Sequence, residues 1–473
     1  MLEVLKSIFD TFGAAVFVPI MIFIVAKVLK VKTGKAFSAA LYAGVGLTGF
    51  TLIINSYTPI ISAVVQKMVE NTGINLPVFD VGWQSTSIVA YATDIGMIYI
   101  ALALILQTGL FLLKWTDVFQ PSDLWNNYSY MVWGSMVYLL TGNIWLGLGI
   151  MVLTNLYSLL ISDLLARRWS EFYGYPRSTI IALHNIEPTI FGIAMDPLWN
   201  KLGLHKVKIN PDTLQQRFGF LGEPISLGLF LGIFLGVLGN FNELGTLAAW
   251  GEIAEVGLAT SAVMAIFPKV SGIFAQAFSP ISQAASKSVR KSGSQENERE
   301  WYLGVNDATG YGEPATLISG ILLIPIMVLL SMVLPGNQTL PVIDLLALPY
   351  MVQGLIAITN GNIVKTILNG SIWFSIGLYI CTLTAPYFTE VAATSGVAIP
   401  AGALLITSFN ILGKPIIGLI FFAFLTQNPL WIGLTIVVYF IAYFIFRTNK
   451  DKIRNYLDRQ AAKNNPEPEA VNR

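Results

Sequence analysis

The chain has 473 residues, of which 54% are apolar and 12% charged, with a formal net charge of +1 and a mean hydropathy of +0.65. This composition excludes an ordinary soluble globular protein, and the small net charge gives no reason to expect nucleic acid as a partner. The single cysteine, Cys381, excludes an internal disulfide framework and a thiolate metal cluster. The sequence therefore predicts a polytopic membrane protein whose solvent is mainly the lipid bilayer.

About eleven stretches approach the roughly 20 apolar residues that a membrane-spanning helix needs. They fall into two groups of five and one last stretch, so we expect an all-α protein with about eleven transmembrane helices. In chain order the predicted spans are 9–29, 37–55, 95–113, 124–140, 144–161, 225–240, 248–267, 317–334, 340–358, 363–383 and 416–446.

A short signature occurs in both groups, around the boundary between the fourth and fifth predicted spans. The matched segments are Met131–Gly134 with Met351–Gly354, Gly142–Ile144 with Gly361–Ile363 and, more loosely, Pro121–Leu124 with Pro341–Leu345. Several matches in register indicate two related halves, a construction typical of transporters. We expect the signature glycines to allow close helix packing and the substrate site to lie elsewhere.

Basic clusters predict the orientation, because cytoplasmic loops are enriched in Lys and Arg. The clusters are 27–35, 167–177, 201–217, 287–299 and 447–459. All lie on one side if the N-terminus is outside and the C-terminus is cytoplasmic. With five spans per half, the second half then enters from the opposite face, so the repeats are inverted.

The expected organisation has four parts. Residues 1–221 form the first repeat and 222–410 the second, followed by a final transmembrane helix over 411–446. The charged tail over 447–473 is expected to be cytoplasmic and disordered. Four further stretches are too polar for spans and too apolar for ordinary loops, which predicts re-entrant hairpins. They lie near 76–94, 174–199, 301–315 and 387–410.

The first hairpin carries Asp80, Trp83, Gln84 and Thr86 within seven residues. A carboxylate, an amide and a hydroxyl can hydrogen-bond vicinal hydroxyl groups, and an indole ring can cover the C–H face of a polyol. The alternative is structural, with Asp80 or Asp94 capping a helix and Trp83 at the membrane interface. We interpret the four residues as part of a substrate site.

The corresponding hairpin of the second half carries Asn306, Asp307 and Glu313. Acidic residues are costly within lipid and usually face a cavity or a partner, which favours substrate binding. In the alternative interpretation, Asp307 caps a helix and Glu313 lies at a wetted interface.

The hairpin after the fifth predicted span contains His184, Asn185 and Glu187. A histidine beside a carboxylate can relay protons, bind a metal or hydrogen-bond a sugar. No further ligands accompany it, which argues against a metal, and a purely structural histidine stays an equal alternative. We include all three in the candidate substrate site.

Motifs for nucleotide hydrolysis or nucleophilic catalysis are absent from the sequence: it has no Walker-type phosphate loop and no Gly-x-Ser-x-Gly segment. We therefore expect no cofactor and no metal. Transport must draw its energy from an ion gradient or from another protein.

A set of short motifs is spread over most of the chain, namely Asp80–Trp83, Gln216–Gly219, Gly222–Pro224, Val333–Gln338, Leu340-Pro341 and Asp344. In these motifs and their order the chain resembles the membrane IIC components of galactitol-type phosphoenolpyruvate-dependent sugar phosphotransferase systems, in the superfamily that includes ascorbate carriers. The resemblance implies a homodimeric elevator-type sugar or polyol carrier of the bacterial inner membrane. It also implies partners, namely a cytoplasmic IIB protein with a phosphocysteine, which phosphorylates the substrate, and a IIA protein that charges IIB.

Two departures from the family pattern lie in the second-half hairpin. The segment Gly304–Ala308 stands where the family tends to have Gly-Leu-Asp-Pro, and Glu313 replaces an expected histidine. A related hexitol, pentitol or sugar is thus an alternative to galactitol. An ion-coupled symporter is the alternative mechanism, with Asp80, Asp307 or Glu313 as the proton or cation site. We expect Asp80→Asn and Asp307→Asn to abolish binding in a dimer that still folds.

Overall fold

The computed structural model describes residues 16–464, except 17–18, 21, 74–75, 208, 210, 212, 214–218, 278–279, 281–298, 398 and 400–402. Its α-helices are α1 Thr33–Thr72, α2 Trp83–Ala92, α3 Asp94–Leu112, α4 Tyr128–Thr141, α5 Ile144–Tyr173, α6 Leu183–Ile186, α7 Pro188–Lys201, α8 Pro224–Gly239, α9 Leu247–Ala275, α10 Pro314–Val333, α11 Leu348–Met351, α12 Gln353–Ile358, α13 Ile363–Thr394, α14 Phe409–Leu412, α15 Pro415–Leu425 and α16 Pro429–Asn464. Its strands are β1 Val78–Asp80, β2 Val118–Phe119, β3 Ser178–Ile180, β4 Tyr302–Val305, β5 Thr339–Leu340 and β6 Leu405–Thr407.

Seven of these helices are long and apolar enough to cross a membrane, namely α1, α3, α5, α9, α10, α13 and α16. Shorter apolar helices occur over 224–239, 344–358 and 415–425. The prediction of a mainly helical, multi-span membrane protein is therefore confirmed. About half of the first predicted span, 9–29, lies outside the described residues, which contain a helical segment over 22–28.

The end of the chain differs from the prediction in two ways. The single last span over 416–446 is observed as two helices, α15 and α16, separated by Thr426–Asn428, where Gln427 has a positive φ of 55°. The expected disorder from Arg447 onward is wrong for 447–464, because α16 continues to Asn464. Burial of Arg454, Leu457 and Ala461 stabilises this charged part of the helix, a tertiary effect that composition does not reveal.

The all-α prediction overlooked six short strands, which form two three-stranded parallel sheets. In one sheet β1 of the first half lies between β5 and β6 of the second half. In the other, β4 of the second half lies between β2 and β3 of the first half. Strands of two to four residues are too short to show the alternating pattern of a sheet in sequence, so these strands were not predicted.

The predicted hairpins each contain one of the strands. β1 is followed by α2, β3 by α6 and α7, β4 by a 3₁₀ turn over Asp307–Gly310, and β6 by α14. The fourth hairpin begins later than the predicted 387, because α13 continues to Thr394.

Close glycine contacts join neighbouring helices. A Cβ on Gly134 of α4 would lie 2.6 Å from the carbonyl oxygen of Gly147 on α5. On α8, a Cβ at Gly232 would lie 2.5 Å from the carbonyl oxygen of Val256 on α9. Helices in lipid associate through such close contacts between their backbones. α8 and α9 pack on each other and on α1, and we call these three helices the three-helix unit.

Candidate functional site

The four segments predicted to be hairpins bring polar residues together at the ends of the two sheets. β1 ends at Asp80 and β4 leads into Asn306 and Asp307. The short helices α6 and α14, which follow strands β3 and β6 of the two different sheets, contact each other. The first turns of these helices and the strand ends therefore form one region, which we call the hairpin junction.

Asp80 is fully buried and its carboxylate is saturated with hydrogen bonds. Oδ1 accepts from the backbone N–H groups of Gly82 and Phe409 at 3.1 and 3.2 Å. Oδ2 accepts from the N–H groups of Val342 and Asp344 at 3.1 and 2.8 Å. This carboxylate therefore joins three segments that are far apart in sequence, and all the hydrogen bonds are structural.

Asp344 is a second buried carboxylate in the same place. Its Oδ1 accepts from the N–H of Trp83 at 2.9 Å, and Oδ2 accepts from the Ser408 hydroxyl at 2.6 Å and the Asn410 N–H at 2.9 Å. The first residues of α2 and α14 are thereby fixed to the segment that follows β5. Desolvation of a carboxylate is costly without such donors, so the arrangement explains how the acid is tolerated.

Asp307 lies at the other end of the junction, beside the second hairpin of the first half. Its carboxylate accepts a short hydrogen bond from Asn185 Nδ2, and His184 Nε2 lies 3.6 Å from the same oxygen. Its backbone carbonyl accepts from Gln353 Nε2 at 2.6 Å. Gln353 belongs to the repeated signature, so in the second half the signature contacts the candidate site. That the substrate itself binds apart from the signature stays a prediction.

Asp123 and Asn306 extend this polar group. Asn306 Nδ2 lies 3.4 Å from Asp123 Oδ1, and Asn126 Nδ2 donates to Asp123 Oδ2 at 2.6 Å. Asn306 Oδ1 accepts from the N–H of Ala308 at 3.0 Å, so this side chain also caps the 3₁₀ turn that carries Asp307.

An aromatic path connects the two ends of the junction. The ring centroids of Trp83 and Tyr128 are 6.0 Å apart, and those of Tyr128 and His184 are 5.6 Å apart. Aromatic faces of this kind can cover the C–H surface of a sugar or polyol while their polar atoms orient its hydroxyls.

Several buried polar atoms at the junction make no hydrogen bond to any part of the chain that the structure describes. They are His184 Nδ1, Asn185 Oδ1, Glu187 Oε2, Asn410 Oδ1 and Lys414 Nζ. Buried polar atoms are almost always hydrogen-bonded, so such a group requires water or a ligand. Donors and acceptors on both hairpins are therefore available for a polyhydroxylated molecule.

Glu187 and Lys414 occupy the positions just after α6 and α14. Glu187 Oε1 accepts from the N–H of Ile416 at 2.6 Å, which ties the first-half hairpin to the start of α15. The Lys414 ammonium is buried near enough for its charge to interact with that carboxylate. The pair is close to neutral as a whole, which lowers the cost of burying two charges.

Two of the predicted site residues have local structural roles, and a third is exposed. Thr86 is buried and donates to the carbonyl of Trp83 at 2.6 Å, within α2. Glu313 caps α10 by accepting from the N–H groups of Ala315 and Thr316 at 3.0 and 2.7 Å. Gln84 is exposed on α2. Their role as substrate ligands stays a prediction, and Glu313 shows how a helix cap explains an acid in an apolar stretch.

Four residues of the junction were not among the predicted site residues, namely Asp123, Asp344, Asn410 and Lys414. The repeat could have revealed three of them. Asp123 and Asp344 stand in the matched segments Pro121–Leu124 and Pro341–Leu345, and Asn185-Ile186 recurs 225 positions later as Asn410-Ile411. Lys414 has no matching lysine in the first half.

A metal role finds no support in the described ranges, because no three His, Cys, Asp or Glu side chains there are grouped so as to hold an ion. The hairpin junction is instead a set of neutral and charged hydrogen-bonding groups beside aromatic rings. Such a set suits a small polyhydroxylated solute.

Comparisons with known proteins identify the family. A family model described as the sugar-specific permease component of the PTS system, EIIC-GAT, matches residues 7–402. Proteins named galactitol-specific EIIC component of the PTS system, from Escherichia coli K12 and O157:H7, are 30% identical over 433 residues, covering 90% of this chain and 92% of each relative. A putative permease IIC component of Escherichia coli K12 is 29% identical over 400 residues, or 84% of this chain and 89% of the relative. The chain therefore belongs to the EIIC-GAT family, the sugar-specific permease components of the phosphotransferase system.

Proposed function

We propose that this permease component binds a galactitol-like sugar or polyol at the hairpin junction and carries it across the bacterial inner membrane. The observation that carries the proposal is the group of buried hydrogen-bonding atoms on α6, α14 and the adjoining residues that the described protein leaves unpaired. Vicinal hydroxyls both donate and accept, so they can satisfy the Asn185 and Asn410 oxygens and the Lys414 ammonium together. The names of the two galactitol-specific relatives support this substrate class.

The proposed ligands are unequal in role. Six of the residues predicted from the sequence lie at the hairpin junction, and we add Asn410 and Lys414 to them. The six are Trp83, His184, Asn185, Glu187, Asn306 and Asp307. Thr86 and Glu313 act on the protein itself in the structure, as a helix hydrogen bond and a helix cap. Asp80 and Asp344 hold the junction together and need not touch the substrate.

The proposed topology is two inverted repeats of five spans, followed by a C-terminal pair of helices. The exchange of β1 and β4 between halves supports it, since each half gives its first-hairpin strand to the sheet of the other half. The N-terminus would lie outside and the C-terminus in the cytoplasm, in line with the basic clusters.

Elevator-type movement within a homodimer is the proposed mechanism. The three-helix unit would form the fixed part, and the hairpin junction would move along it. α1 contacts the 3₁₀ turn over Asp307–Gly310 and a second 3₁₀ turn over Asp344–Ala347, so the proposed site lies directly against this unit. Aromatic contacts, such as Phe267 of α9 with Tyr311 at 6.0 Å, form an apolar boundary that could slide without breaking hydrogen bonds.

Phosphorylation of the substrate by a separate IIB protein, through its phosphocysteine, is the proposed source of energy, with IIA recharging IIB. Cys381 is unsuited to carry a phosphoryl group, because it is fully buried in α13 and its sulfur lies 3.8 Å from the Ser408 carbonyl oxygen.

Sealed vesicles that contain only this protein are expected not to accumulate radiolabelled galactitol. Enclosing phosphoenolpyruvate, enzyme I, the histidine-phosphorylated carrier protein, IIA and IIB should produce accumulation, recovered as the sugar phosphate. The reason is that phosphorylation removes free substrate inside. Concentrative uptake driven by an imposed proton or sodium gradient, without these proteins, would contradict the proposal and favour the symporter. The same uptake assay with other hexitols, pentitols and hexoses determines which substrate is transported.

Asn410→Ala is expected to weaken substrate binding by about tenfold without changing the thermal midpoint. Its backbone N–H holds Asp344, but its side-chain oxygen has no partner in the described protein. Loss of one hydrogen bond to a neutral ligand costs about 1.4 kcal/mol at most. Isothermal calorimetry measures the change. As a control, Asn337→Ala removes hydrogen bonds to Ser331 and Thr339 and should lower the thermal midpoint while preserving affinity.

A further inference from the structure

The region where the end of α3 meets α16 lies at the level of a membrane interface. The apolar run of α16 ends at Phe446, and Arg447 and Lys450 follow directly. Within the run, Ile441 and Phe444 are 55% and 57% exposed, as expected of side chains that face lipid. The change from exposed apolar to basic residues therefore marks the boundary between acyl chains and headgroups.

Aromatic side chains occupy the same level. The rings of Trp115 and Tyr443 stack at 4.1 Å, and Trp115 Nε1 donates to the Tyr439 hydroxyl at 3.0 Å. The Tyr443 hydroxyl in turn donates to the carbonyl of Trp115 at 2.9 Å. Trp and Tyr with one apolar side and one hydrogen-bonding group are typical of the headgroup region.

The end of α3 presents apolar side chains next to a basic one. Leu112 and Leu113 are 70% and 81% exposed, and Lys114 follows in the left-handed conformation with a φ of 59°. The Lys114 carbonyl accepts from Arg447 Nη2 at 2.7 Å. This hydrogen bond holds the Arg447 guanidinium beside the exposed turn that carries the Lys114 side chain.

Positive charge exceeds negative charge behind this turn. Asp117 is buried and its carboxylate is approached by three cations: Arg299 Nε at 2.9 Å, Arg447 Nη1 at 3.7 Å and the Lys450 ammonium in close contact. The nearby Asp163 carboxylate accepts from the Thr116 hydroxyl and the Asp117 N–H. With Lys114, four cations thus face two carboxylates, a surplus of two charges.

The exposed residues on the next turn of α16 leave this surplus unchanged. Asp451 and Lys452 are both exposed and cancel each other. A surplus of positive charge at the level of the headgroups, beside exposed apolar side chains, has the chemistry that anionic phospholipids satisfy.

We propose that the junction of α3 and α16 binds an anionic phospholipid, with its phosphate between Lys114 and Arg447. Its acyl chains would lie along Leu112, Leu113 and Phe444. The phosphodiester can accept from the Lys114 ammonium and from the guanidinium edge of Arg447, both of which are charge-assisted hydrogen bonds. This lipid site is separate from the hairpin junction and does not depend on the identity of the transported substrate.

The bound lipid would stabilise one of the two sheets. Asp117 immediately precedes β2, and Arg299 lies three residues before β4, the strand that leads to Asp307. Neutralising the surplus charge around Asp117 reduces the repulsion between the cations that hold these strands together. The lipid therefore supports the scaffold of the substrate site from the membrane face.

Native mass spectrometry of the purified full-length protein, titrated with phosphatidylglycerol or phosphatidylcholine, tests the proposal. Phosphatidylglycerol should bind more tightly. Lys114→Gln and Arg447→Gln should each weaken its binding about fivefold, because each variant removes one cation near the headgroup. The double variant should weaken it more than either single variant. Lys463→Gln, an exposed lysine farther along α16, should not change it.

Equal affinity for the two lipids, or unchanged phosphatidylglycerol binding in Lys114→Gln, would overturn the proposal. Displacement of the lipid by equimolar inorganic phosphate would also overturn it, since the ligand would then be a simple anion. Lys114 has no side-chain partner in the described part of the protein, so Lys114→Gln is decisive even if Arg447→Gln fails to fold. Lys114→Arg should retain the binding of phosphatidylglycerol.

Discussion

Asp307→Asn is expected to weaken substrate binding by about 100-fold in a protein that still folds. The Asp307 carboxylate accepts from Asn185 Nδ2 and faces His184 Nε2 at 3.6 Å. Both groups approach the same carboxylate oxygen, so an asparagine at this position either points its NH₂ group at both of them or keeps an acceptor there without the negative charge. Hydrogen bonds to a charged group contribute about 1.5–3 kcal/mol, which corresponds to about 10- to 150-fold in affinity.

The fold should tolerate this change because the backbone of Asp307 is held independently. Gln353 donates to its carbonyl, and Asn306 caps the turn that contains it. Calorimetric titration with galactitol and with the best polyol from the vesicle experiment measures the affinity, and the thermal midpoint in detergent reports folding. Asp94→Asn is the matched control, since Asp94 is exposed in the first turn of α3 where Thr93 already caps the helix.

Normal binding by Asp307→Asn would place the substrate elsewhere. Loss of binding together with loss of the folded protein would instead assign Asp307 a structural role, which was the alternative interpretation of this hairpin.

Asp80→Ala is expected to destabilise the protein by about 4 kcal/mol or more, because four buried backbone N–H groups lose their acceptor. Each unsatisfied buried group costs about 1–3 kcal/mol. Asp80→Asn should be intermediate, since one amide oxygen can still accept from one pair of donors. The structure thus changes the expectation for Asp80→Asn from lost binding in a folded dimer to reduced stability.

Fluorescence-detected gel filtration after heating measures the effect as a lower thermal midpoint and less monodisperse protein. Thr86→Val is the matched control in the same hairpin, because it removes one hydrogen bond to the carbonyl of Trp83 and should cost about 1 kcal/mol. An Asp80→Ala protein with an unchanged midpoint but no substrate binding would return Asp80 to the list of substrate ligands.

Local sequence patterns are sufficient to predict part of the candidate site. The sequence predicts His184, Asn185 and Asp307 as site residues because they are polar residues in apolar, Pro- and Gly-interrupted segments, and the structure brings them into contact. Asp344 and Asn410 were overlooked, although both have counterparts in the first half. A comparison of the two halves position by position would have found them, because a repeat places equivalent residues at equivalent sites.

The hydrogen-bond donors that each acidic side chain finds could not be predicted in this way. Asp80 and Asp307 occupy corresponding hairpins and look alike in sequence. One of them accepts four backbone hydrogen bonds, and the other faces side chains of a neighbouring hairpin. The difference depends on donors that arrive from distant parts of the chain, at Val342, Asp344 and Phe409.

The sequence by itself determined the membrane environment, the doubled signature and the permease family. These features depend on composition and on short motifs, which are local. Only the tertiary structure decided that β1 and β4 exchange between halves, that the last span is two helices, and which polar atoms are left for a ligand. The strand exchange depends on pairing between segments more than a hundred residues apart, where the free energy comes from hydrogen bonds and packing that no local pattern encodes.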